Sequence, residues 1–328
     1  MKRSIESALV RWQSLPQGER LPLLLRGARQ VGKSHAVESF GARYFKRCIV
    51  INFEFQPTFK DCFDNLDPIS IVSLLEAKTG QVIAPGESLL FLDEIQECPQ
   101  AILALRYFKE KMPALHVIGA GSLLEFVLEA AEFQWPVGRV QCMHLYPLSF
   151  KEFLWATQKE KLATFIEEAT LTHPLPTVLH EELLQQLRHY FVIGGMPAAV
   201  NAFLSTQKLQ QTQSMQQTLL SGYRNDFGKY TKKSMYQHLQ FIFDRLPHFI
   251  AQQTKYVDIA PDLLSRDVKL ALHKLSLAGL IYPVYATSAG GLPLHSLINE
   301  KKFKLLFVDI GLVTINARLD GDILVDPD

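Results

Sequence analysis

The sequence predicts an α/β protein, in which a mostly parallel sheet with helices on both faces precedes a helical segment and a winged helix. Apolar runs of strand length alternate with helical stretches as far as Pro147. From residue 149 to about residue 230 the periodicity is helical throughout. A helix at Ser265–Leu277 then precedes two strand-like runs with a Gly-Gly tip between them. That order of elements predicts the winged helix.

Five strands are expected in the first part of the chain, each rich in apolar, β-branched or aromatic residues. They are placed at residues 21–25, 48–55, 88–92, 115–118 and 139–145. Helices are expected at residues 1–20, 35–40, 68–78 and 99–111, and Gly80 ends the third of these. Strands and helices that alternate at these lengths indicate parallel strands joined by crossover helices.

The second part of the chain divides into three predicted regions after a first domain at residues 1–148. Residues 149–233 form a helical lid or linker, residues 234–300 the winged helix, and residues 301–328 a C-terminal remnant. The winged helix is expected to contain helices at 236–253 and 265–277 and strands at 280–285 and 303–308. Gly194 to Pro197 (G-G-M-P) is interpreted as a break between helices. Residues 223–230 (Y-R-N-D-F-G-K-Y) are interpreted as a partly buried helix end.

Residues Gly27 to Ser34 read G-A-R-Q-V-G-K-S, a complete G-x-x-x-x-G-K-[ST] phosphate loop between a predicted strand and a predicted helix. Glycines let backbone N–H groups turn toward phosphate oxygens, and the helix that starts near Lys33 adds its positive end. Lys33 is expected to reach the β- and γ-phosphates, and the Ser34 hydroxyl to bind Mg²⁺. The residues expected to hold the nucleotide are Gly27, Ala28, Arg29, Gln30, Val31, Gly32, Lys33, Ser34 and His35.

Two carboxylates follow the apolar strand at residues 88–92 directly. Asp93 is placed to hold Mg²⁺ through its water shell, and Glu94 to orient and partly deprotonate an attacking water. The alternative is a pair of solvated acids at a strand end. Kinases of small molecules also carry an Asp on this strand, but their catalysis does not need the adjacent glutamate, so the pair favours water as the acceptor.

Two further polar residues are candidates for contact with the γ-phosphate. Ser122 ends the predicted fourth strand, where its hydroxyl would touch the γ-phosphate or cap the helix that follows. Arg139 lies before the predicted fifth strand, where a guanidinium near the γ-phosphate would stabilise transition-state charge. A lone arginine at a strand start is more often a surface residue, and Arg29 inside the loop is an alternative cation.

The composition indicates a soluble, cytoplasmic protein. The net charge of the 328 residues is +1, which excludes a global basic field for nucleic acid. The four cysteines show no C-x-x-C spacing and are expected to be free thiols. No apolar run approaches the roughly 20 residues that span a bilayer, and no secretory leader is recognisable.

With these motifs, the chain resembles bacterial and archaeal AAA-type P-loop ATPases that carry a C-terminal domain of unknown function. The resemblance spans nearly the whole chain. The matching stretches are Arg26 to Ser34, Ile51 to Phe55, Leu89 to Pro99, Gly119 to Phe126, Pro136 to Val140, Tyr146 to Phe153, Gly194 to Pro197, Tyr223 to Tyr230 and Asp309 to Val313.

The resemblance implies a P-loop NTPase core of the additional-strand, AAA type, with ATP and Mg²⁺ as cofactors. It also implies that Ser122 senses the γ-phosphate and that Arg139 is a functional arginine. Members usually continue past a D-I-G-L-type strand, here Asp309 to Val313, into a nuclease-like region. About fifteen residues follow Val313 in this sequence, so we do not expect nuclease activity.

The leading functional prediction is therefore a Mg²⁺-dependent ATPase whose nucleotide state moves the helical and winged-helix segments. The alternative is a DNA-binding regulator with ATP as a ligand and little turnover, which would place Arg266, Lys269 and Lys274 near DNA phosphates. A small-molecule kinase is a third hypothesis. Besides ATP, the partners left open are DNA, a second copy of the chain and a protein client, and no membrane partner is expected.

Overall fold

The computed structural model describes residues 1–129, 138–229, 231, 233–288, 290–319 and 321. The chain divides into two compact units, residues 2–146 and residues 147–328, with Met1 assigned to the second. Part of the Pro136 to Val140 motif, Tyr230 and the last seven residues lie outside the described residues.

The first unit alternates strands and helices. Its elements are α1 (Ile5–Ser14), β1 (Leu23–Arg26), α2 (Lys33–Tyr44), β2 (Arg47–Asn52), α3 (Pro68–Thr79), β3 (Ser88–Asp93), α4 (Pro99–Lys111), β4 (His116–Ala120), α5 (Leu124–Leu128) and β5 (Gln141–His144), with short 3-10 helices at Pro57–Phe63 and Ile95–Glu97. The five predicted strands are confirmed, with ends that shift by up to three residues. The second ends early because the Asn52 side chain accepts hydrogen bonds from the N–H groups of Glu54 and Phe55 and turns the chain.

The five strands form one parallel sheet in the order β2-β3-β4-β1-β5. Strand β4 is inserted between β1, which leads into the phosphate loop, and β3, which leads into the two carboxylates. Because all strands run the same way, their carboxyl ends meet at one edge of the sheet. The loop, Glu94 and Ser122 follow these carboxyl ends, and Asp93 is the last residue of β3.

The sheet is held by a large apolar core. Every residue of β3 is buried, and so are Leu23, Leu24 and Leu25 of β1. Helix α4 packs its buried face, which includes Ile102, into the same core. A strand buried on both faces leaves no apolar surface for solvent, as the unbroken S-L-L-F-L run predicts.

The second unit is largely helical. It contains α6 (Phe150–Ala156), α7 (Glu160–Glu168), α8 (Thr177–Ile193), α9 (Pro197–Thr206), α10 (Leu209–Asp226), α11 (Lys233–Arg245), α12 (Tyr256–Ile259), α13 (Ser265–Leu277), β6 (Ile281–Thr287), β7 (Ile298–Phe307) and α14 (Ile310–Asn316). The expected helical stretch is confirmed, with a break between α8 and α9 at Gly194 (φ 74°). Ser149 starts α6 through a reciprocal capping box with Glu152.

Strands β6 and β7 pair in an antiparallel hairpin that follows α13 directly. Two residues between α11 and α12 also bridge to β7, Ile250 to Leu305 and Thr254 to Phe303. Helix α13 occupies its predicted range, and its buried residues include Val268 and Leu275. The strand predicted at 303–308 begins five residues earlier, at Ile298.

The prediction of a strand at Asp309 to Val313 is wrong, because this stretch begins helix α14. Asp309 is the N-cap, and its Oδ1 accepts a hydrogen bond from the N–H of Leu312 at 3.0 Å. The apolar residues at 310, 312 and 313 suit either a strand or a helix, and the capping carboxylate selects the helix.

Asp309 also joins two distant motifs inside the second unit. Its Oδ2 accepts a hydrogen bond from the N–H of Gly195 at 2.6 Å. Burial raises the pKa of Asp309 to about 6, although backbone N–H donors oppose that shift. Gln216 of α10 donates to the carbonyl oxygens of Val192 and Ile193 beside it. The G-G-M-P and D-I-G-L stretches therefore form one buried polar cluster.

Among the helices formed by the described residues, none combines the length and the apolar character that a membrane crossing requires.

Candidate functional site

The phosphate loop joins β1 to α2 and depends on its two glycines. Gly27 has φ 140° and Gly32 has φ 92°, conformations that disfavour residues with a side chain. A Cβ on Gly27 would also lie 2.1 Å from the carbonyl oxygen of Leu145. Ala28 and Val31 are buried and anchor the loop, whereas Gln30 and His35 are exposed. The loop thus presents backbone groups and long polar side chains at the sheet edge.

Lys33 is the first residue of α2, and its ammonium lies within the loop. Its Nζ donates to the carbonyl oxygens of Gly27 and Ala28, at 2.9 Å each. Burial lowers the pKa of Lys33 to about 8, while the nearby charges of Glu94 and Asp93 raise it. The site therefore holds a desolvated cation that an anion would stabilise.

Ser34 and Asp93 meet across the loop and strand β3. The Ser34 hydroxyl lies 3.0 Å from both Oδ1 and Oδ2 of Asp93. Asn52 at the end of β2 donates to Asp93 Oδ2 at 2.9 Å. Burial raises the pKa of Asp93, and the hydrogen bonds from Ser34 and Asn52 oppose that shift. A hydroxyl and a carboxylate at this spacing are hard oxygen donors that fit Mg²⁺.

Glu94 leaves β3 in a left-handed conformation, with φ 48° and ψ 46°. Its Oε2 accepts hydrogen bonds from Gln96 Nε2 at 2.7 Å and from the Ser122 hydroxyl at 3.4 Å. Arg29 of the phosphate loop donates its Nε–H to Ser122 at 3.3 Å and lies 3.7 Å from Glu54. Ser122 thus links the loop to Glu94 directly.

The arrangement brings together, at one edge of the sheet, the kinds of group that phosphate transfer uses. The loop backbone, Lys33 and the N-terminal end of α2 attract polyanions. Ser34 and Asp93 offer oxygen ligands for a divalent cation. Glu94 places a second carboxylate next to them for a water molecule. Chemically, these groups suit displacement at a phosphorus atom.

Comparison with known protein families divides the chain into two parts. Residues 19–154 match a family model described as an AAA domain. The first part of the chain is an AAA domain. Residues 184–322 match a domain of unknown function, DUF8612. No curated protein matches the chain in sequence.

One solved structure shares the fold of this chain. The Walker-type ATPase PABY2304 of Pyrococcus abyssi aligns with a TM-score of 0.59 and 14% identity, over 96% of this chain and 95% of that one. The ORC2 protein of Aeropyrum pernix, in ADPNP-ADP complexes, has a TM-score of 0.43 and 11% identity, over 99% and 92%. ORC1 of the same organism, in complex with DNA, has a TM-score of 0.36 and 11% identity, over 97% and 93%. The last two TM-scores do not establish a common fold.

Arg139 is the one predicted site residue that the structure does not bring to the loop of its own AAA domain. Its Nε lies 3.4 Å from Glu110, near the end of α4, and half of its side chain is exposed. Helix α4 returns from the carboxyl end of β3 to the start of β4, so Glu110 lies at the opposite edge of the sheet. The register pairs Gln141 with Leu23, the first residue of β1, which agrees with that position.

Sequence reasoning missed two residues of the AAA domain site, Asn52 and Gln96. Asn52 pairs in register with Asp93 on the neighbouring strand, so a polar residue at the end of β2 was a usable signal. Gln96 lies two residues beyond Glu94, and a side chain at that spacing folds back only because of the left-handed turn at Glu94. The motif gave no indication of that turn.

Proposed function

We propose that the AAA domain binds ATP with Mg²⁺ and hydrolyses the bond between the β- and γ-phosphates. The observation that carries this proposal is the contact between Ser34 and Asp93, which come from different elements and lie 3.0 Å apart beside Lys33. A tight turn with no ligand would not need a hydroxyl, an ammonium and two carboxylates to converge.

Each residue has a role in this proposal. The backbone N–H groups of Gly27 to Ser34 bind the phosphates, and Lys33 turns from the loop carbonyls to the β- and γ-phosphate oxygens. Ser34 and Asp93 would hold Mg²⁺, which when bound neutralises charge on those oxygens. Glu94 accepts a proton from water while the water oxygen bonds to the γ-phosphorus and the bridging bond breaks, giving ADP and phosphate. Ser122 donates to Glu94 and accepts from Arg29, and both Ser122 and Arg29 would contact the γ-phosphate.

Water, not a second substrate, is the favoured acceptor. Glu94 is next to Asp93 and is oriented by two hydrogen-bond donors. A small-molecule kinase would need no such glutamate, and a test for phosphorylated product against free phosphate separates the two activities.

Residues 233–307 are proposed to form a winged helix that responds to the nucleotide. The support is the order α11, α12, α13 and the β6–β7 hairpin, with Ile250 and Thr254 pairing with β7 as a minimal third strand. Contacts that differ between ATP and ADP at Ser122 and Arg29 would be the source of any movement.

Two substitutions separate nucleotide binding from hydrolysis. Lys33→Ala should abolish ATP binding, because it removes the cation of the loop. Glu94→Gln should keep binding and lower kcat by roughly a hundredfold or more, the usual contribution of a general base. Binding is measured with a non-hydrolysable ATP analogue and turnover by phosphate release. If both variants hydrolyse ATP like the wild type, the proposal is wrong.

The same assay at several protein concentrations tests Arg139. In this proposal Arg139 acts only on the phosphate site of a second copy of the chain. Turnover per chain that rises with concentration, and an Arg139→Ala variant without that rise, would support such a role. Turnover that is independent of concentration, with Arg139→Ala equal to the wild type, would remove it.

A second candidate function, DNA binding with ATP as a ligand, is favoured by local charge. Residues 233–308 contain nine Lys and Arg against five Asp and Glu, although the whole chain is nearly neutral. The exposed face of α13 includes Arg266 and Lys269, and the tip side of β7 carries Lys301 and Lys302. Lys269 also forms an exposed ion pair with Glu300 at 2.8 Å.

The test is binding to a duplex of random sequence at several salt concentrations. The double variant Arg266→Glu, Lys269→Glu should weaken binding and reduce the salt slope by about two. Lys161→Glu, an exposed charge on α7, is the matched control and should bind like the wild type. No binding by the wild type at low salt would end this hypothesis.

A further inference from the structure

Gln96 makes the shortest side-chain hydrogen bond to Glu94, the proposed general base. Its Nε2 lies 2.7 Å from Glu94 Oε2, and the Ser122 hydroxyl donates to the same oxygen at 3.4 Å. Among the described residues, no hydrogen bond reaches the other oxygen, Oε1. The two donors therefore fix one side of the carboxylate and leave the other to accept a proton.

The backbone at Glu94 makes this contact depend on the local turn. Glu94 is left-handed, and the 3-10 helix Ile95–Glu97 follows immediately. This turn brings the Gln96 side chain back beside the side chain of Glu94. Non-glycine residues adopt this conformation rarely, and they keep it where surrounding contacts hold them.

The residue directly after strand β4 is a glycine, Gly121, at the place where the Gln96 amide needs space. A Cβ on Gly121 would lie 2.2 Å from Gln96 Oε1 and 3.3 Å from its Cδ. Gly121 is not in the left-handed region, so space, and not backbone conformation, accounts for the glycine. Gly119 similarly leaves room for the side chain of Ile95, since its Cβ would lie 2.7 Å from Ile95 Cδ1.

The amide oxygen of Gln96 is buried and has no hydrogen-bond partner among the described residues. A buried acceptor without a donor is unfavourable. Exchanging the amide oxygen and nitrogen would not help, because the oxygen would then face the Glu94 carboxylate. The amide is therefore held in one orientation by Glu94, and the absence of a Cβ on Gly121 leaves room for its oxygen.

We propose that Gln96 is the positioning residue for Glu94 in ATP hydrolysis, and that Gly121 is a glycine in order to admit its amide. The inference rests on the proposed ATPase function. Gln96 holds Oε2, so that Oε1 faces the attacking water, and Ser122 adds the link to the phosphate loop. In this role Gln96 acts through Glu94 and does not contact the phosphates.

The expected result for Gln96→Ala is a fall in kcat of about ten- to a hundredfold, because a displaced general base loses its alignment. The affinity for a non-hydrolysable ATP analogue and the melting temperature should stay close to those of the wild type. Gln96→Asn, which is too short to reach Glu94, should behave like Gln96→Ala. Gln100→Ala, an exposed glutamine on α4, is the control and should leave all three quantities unchanged.

Gly121→Ala provides a second, independent variant. Its methyl group displaces the Gln96 amide, so it should lower kcat like Gln96→Ala, and the double variant should be no slower than either single variant. Should Gly121→Ala fail to fold, the two Gln96 variants still decide the matter. Unchanged kcat in Gln96→Ala, or a loss that follows an equal loss of affinity or stability, overturns the inference.

The two proposals fail in different ways. A wild type without turnover refutes the ATPase function. A wild type that hydrolyses ATP, with Glu94→Gln inactive and Gln96→Ala fully active, leaves the ATPase function intact and refutes only the role of Gln96.

Discussion

At the scale of single residues, the site combines groups that are costly to bury. Lys33 is almost fully buried, at 7% exposure, and Asp93 at 5%. Each is partly compensated by polar contacts, Lys33 by two carbonyl oxygens and Asp93 by Ser34 and Asn52. Groups of opposite charge whose pKa values are shifted by burial are typical of ligand sites when they meet at one sheet edge. Apolar residues in the same place would stabilise the fold better.

The pKa of Lys33 predicts how nucleotide affinity depends on pH. Without nucleotide the pKa is about 8, and phosphate charge raises it on binding. Below pH 8 the ammonium is already charged, so affinity should be flat there. Above pH 8 binding takes up a proton, so affinity should fall by up to about tenfold per pH unit.

Calorimetry in buffers of different ionisation enthalpy would measure this proton uptake between pH 7 and pH 9.5. Lys33→Arg is the control, because its guanidinium stays charged throughout, and its residual affinity should not change over this range. Affinity of the wild type that is constant to pH 9.5 would contradict the prediction.

At the scale of elements, glycines decide where two pieces of chain approach. In the first unit Gly27 lies against Leu145, and Gly121 lies against Gln96. In the second unit a Cβ on Gly194 would lie 2.2 Å from Asp309 Oδ1. The helix break between α8 and α9 is therefore also the place where the start of α14 docks.

Gly194→Ala should destabilise the second unit by about 2 kcal/mol or more, since it combines a clash with a positive φ. The expected result is a lower denaturant midpoint or melting temperature for the full chain. Gly291→Ala is the control, because nothing lies within 4 Å of its Cβ position. Equal stability of Gly194→Ala and the wild type would show that the Asp309 cluster can rearrange without cost.

At the scale of the whole molecule, the phosphate loop site and the basic surface of α13 and β7 belong to different units. The phosphate loop and both carboxylates belong to residues 2–146. The basic residues of α13 and β7 belong to residues 147–328. A net charge of +1 conceals this basic surface, since acidic residues elsewhere in residues 147–328 offset it. Arg139 is also separated from the phosphate loop of its own chain, because it lies at the opposite edge of the sheet.

Local patterns in the sequence were sufficient for most elements. Strand periodicity placed all five strands of the sheet, and helix α13 has its predicted ends. The glycine spacing predicted a loop between a strand and a helix, and the position of Asp93 at the end of a buried strand predicted that it would approach Ser34. These predictions succeeded because the energies that decide them, apolar burial and backbone conformation, depend on neighbouring residues.

Only the tertiary structure decided the features that depend on distant residues. The insertion of β4 between β1 and β3 sets Ser122 beside Glu94. Packing likewise placed Arg139 on Glu110 and the N–H of Gly195 on Asp309. Strand order and side-chain contacts across more than 25 residues are fixed by the packing of the whole unit, which no local pattern encodes.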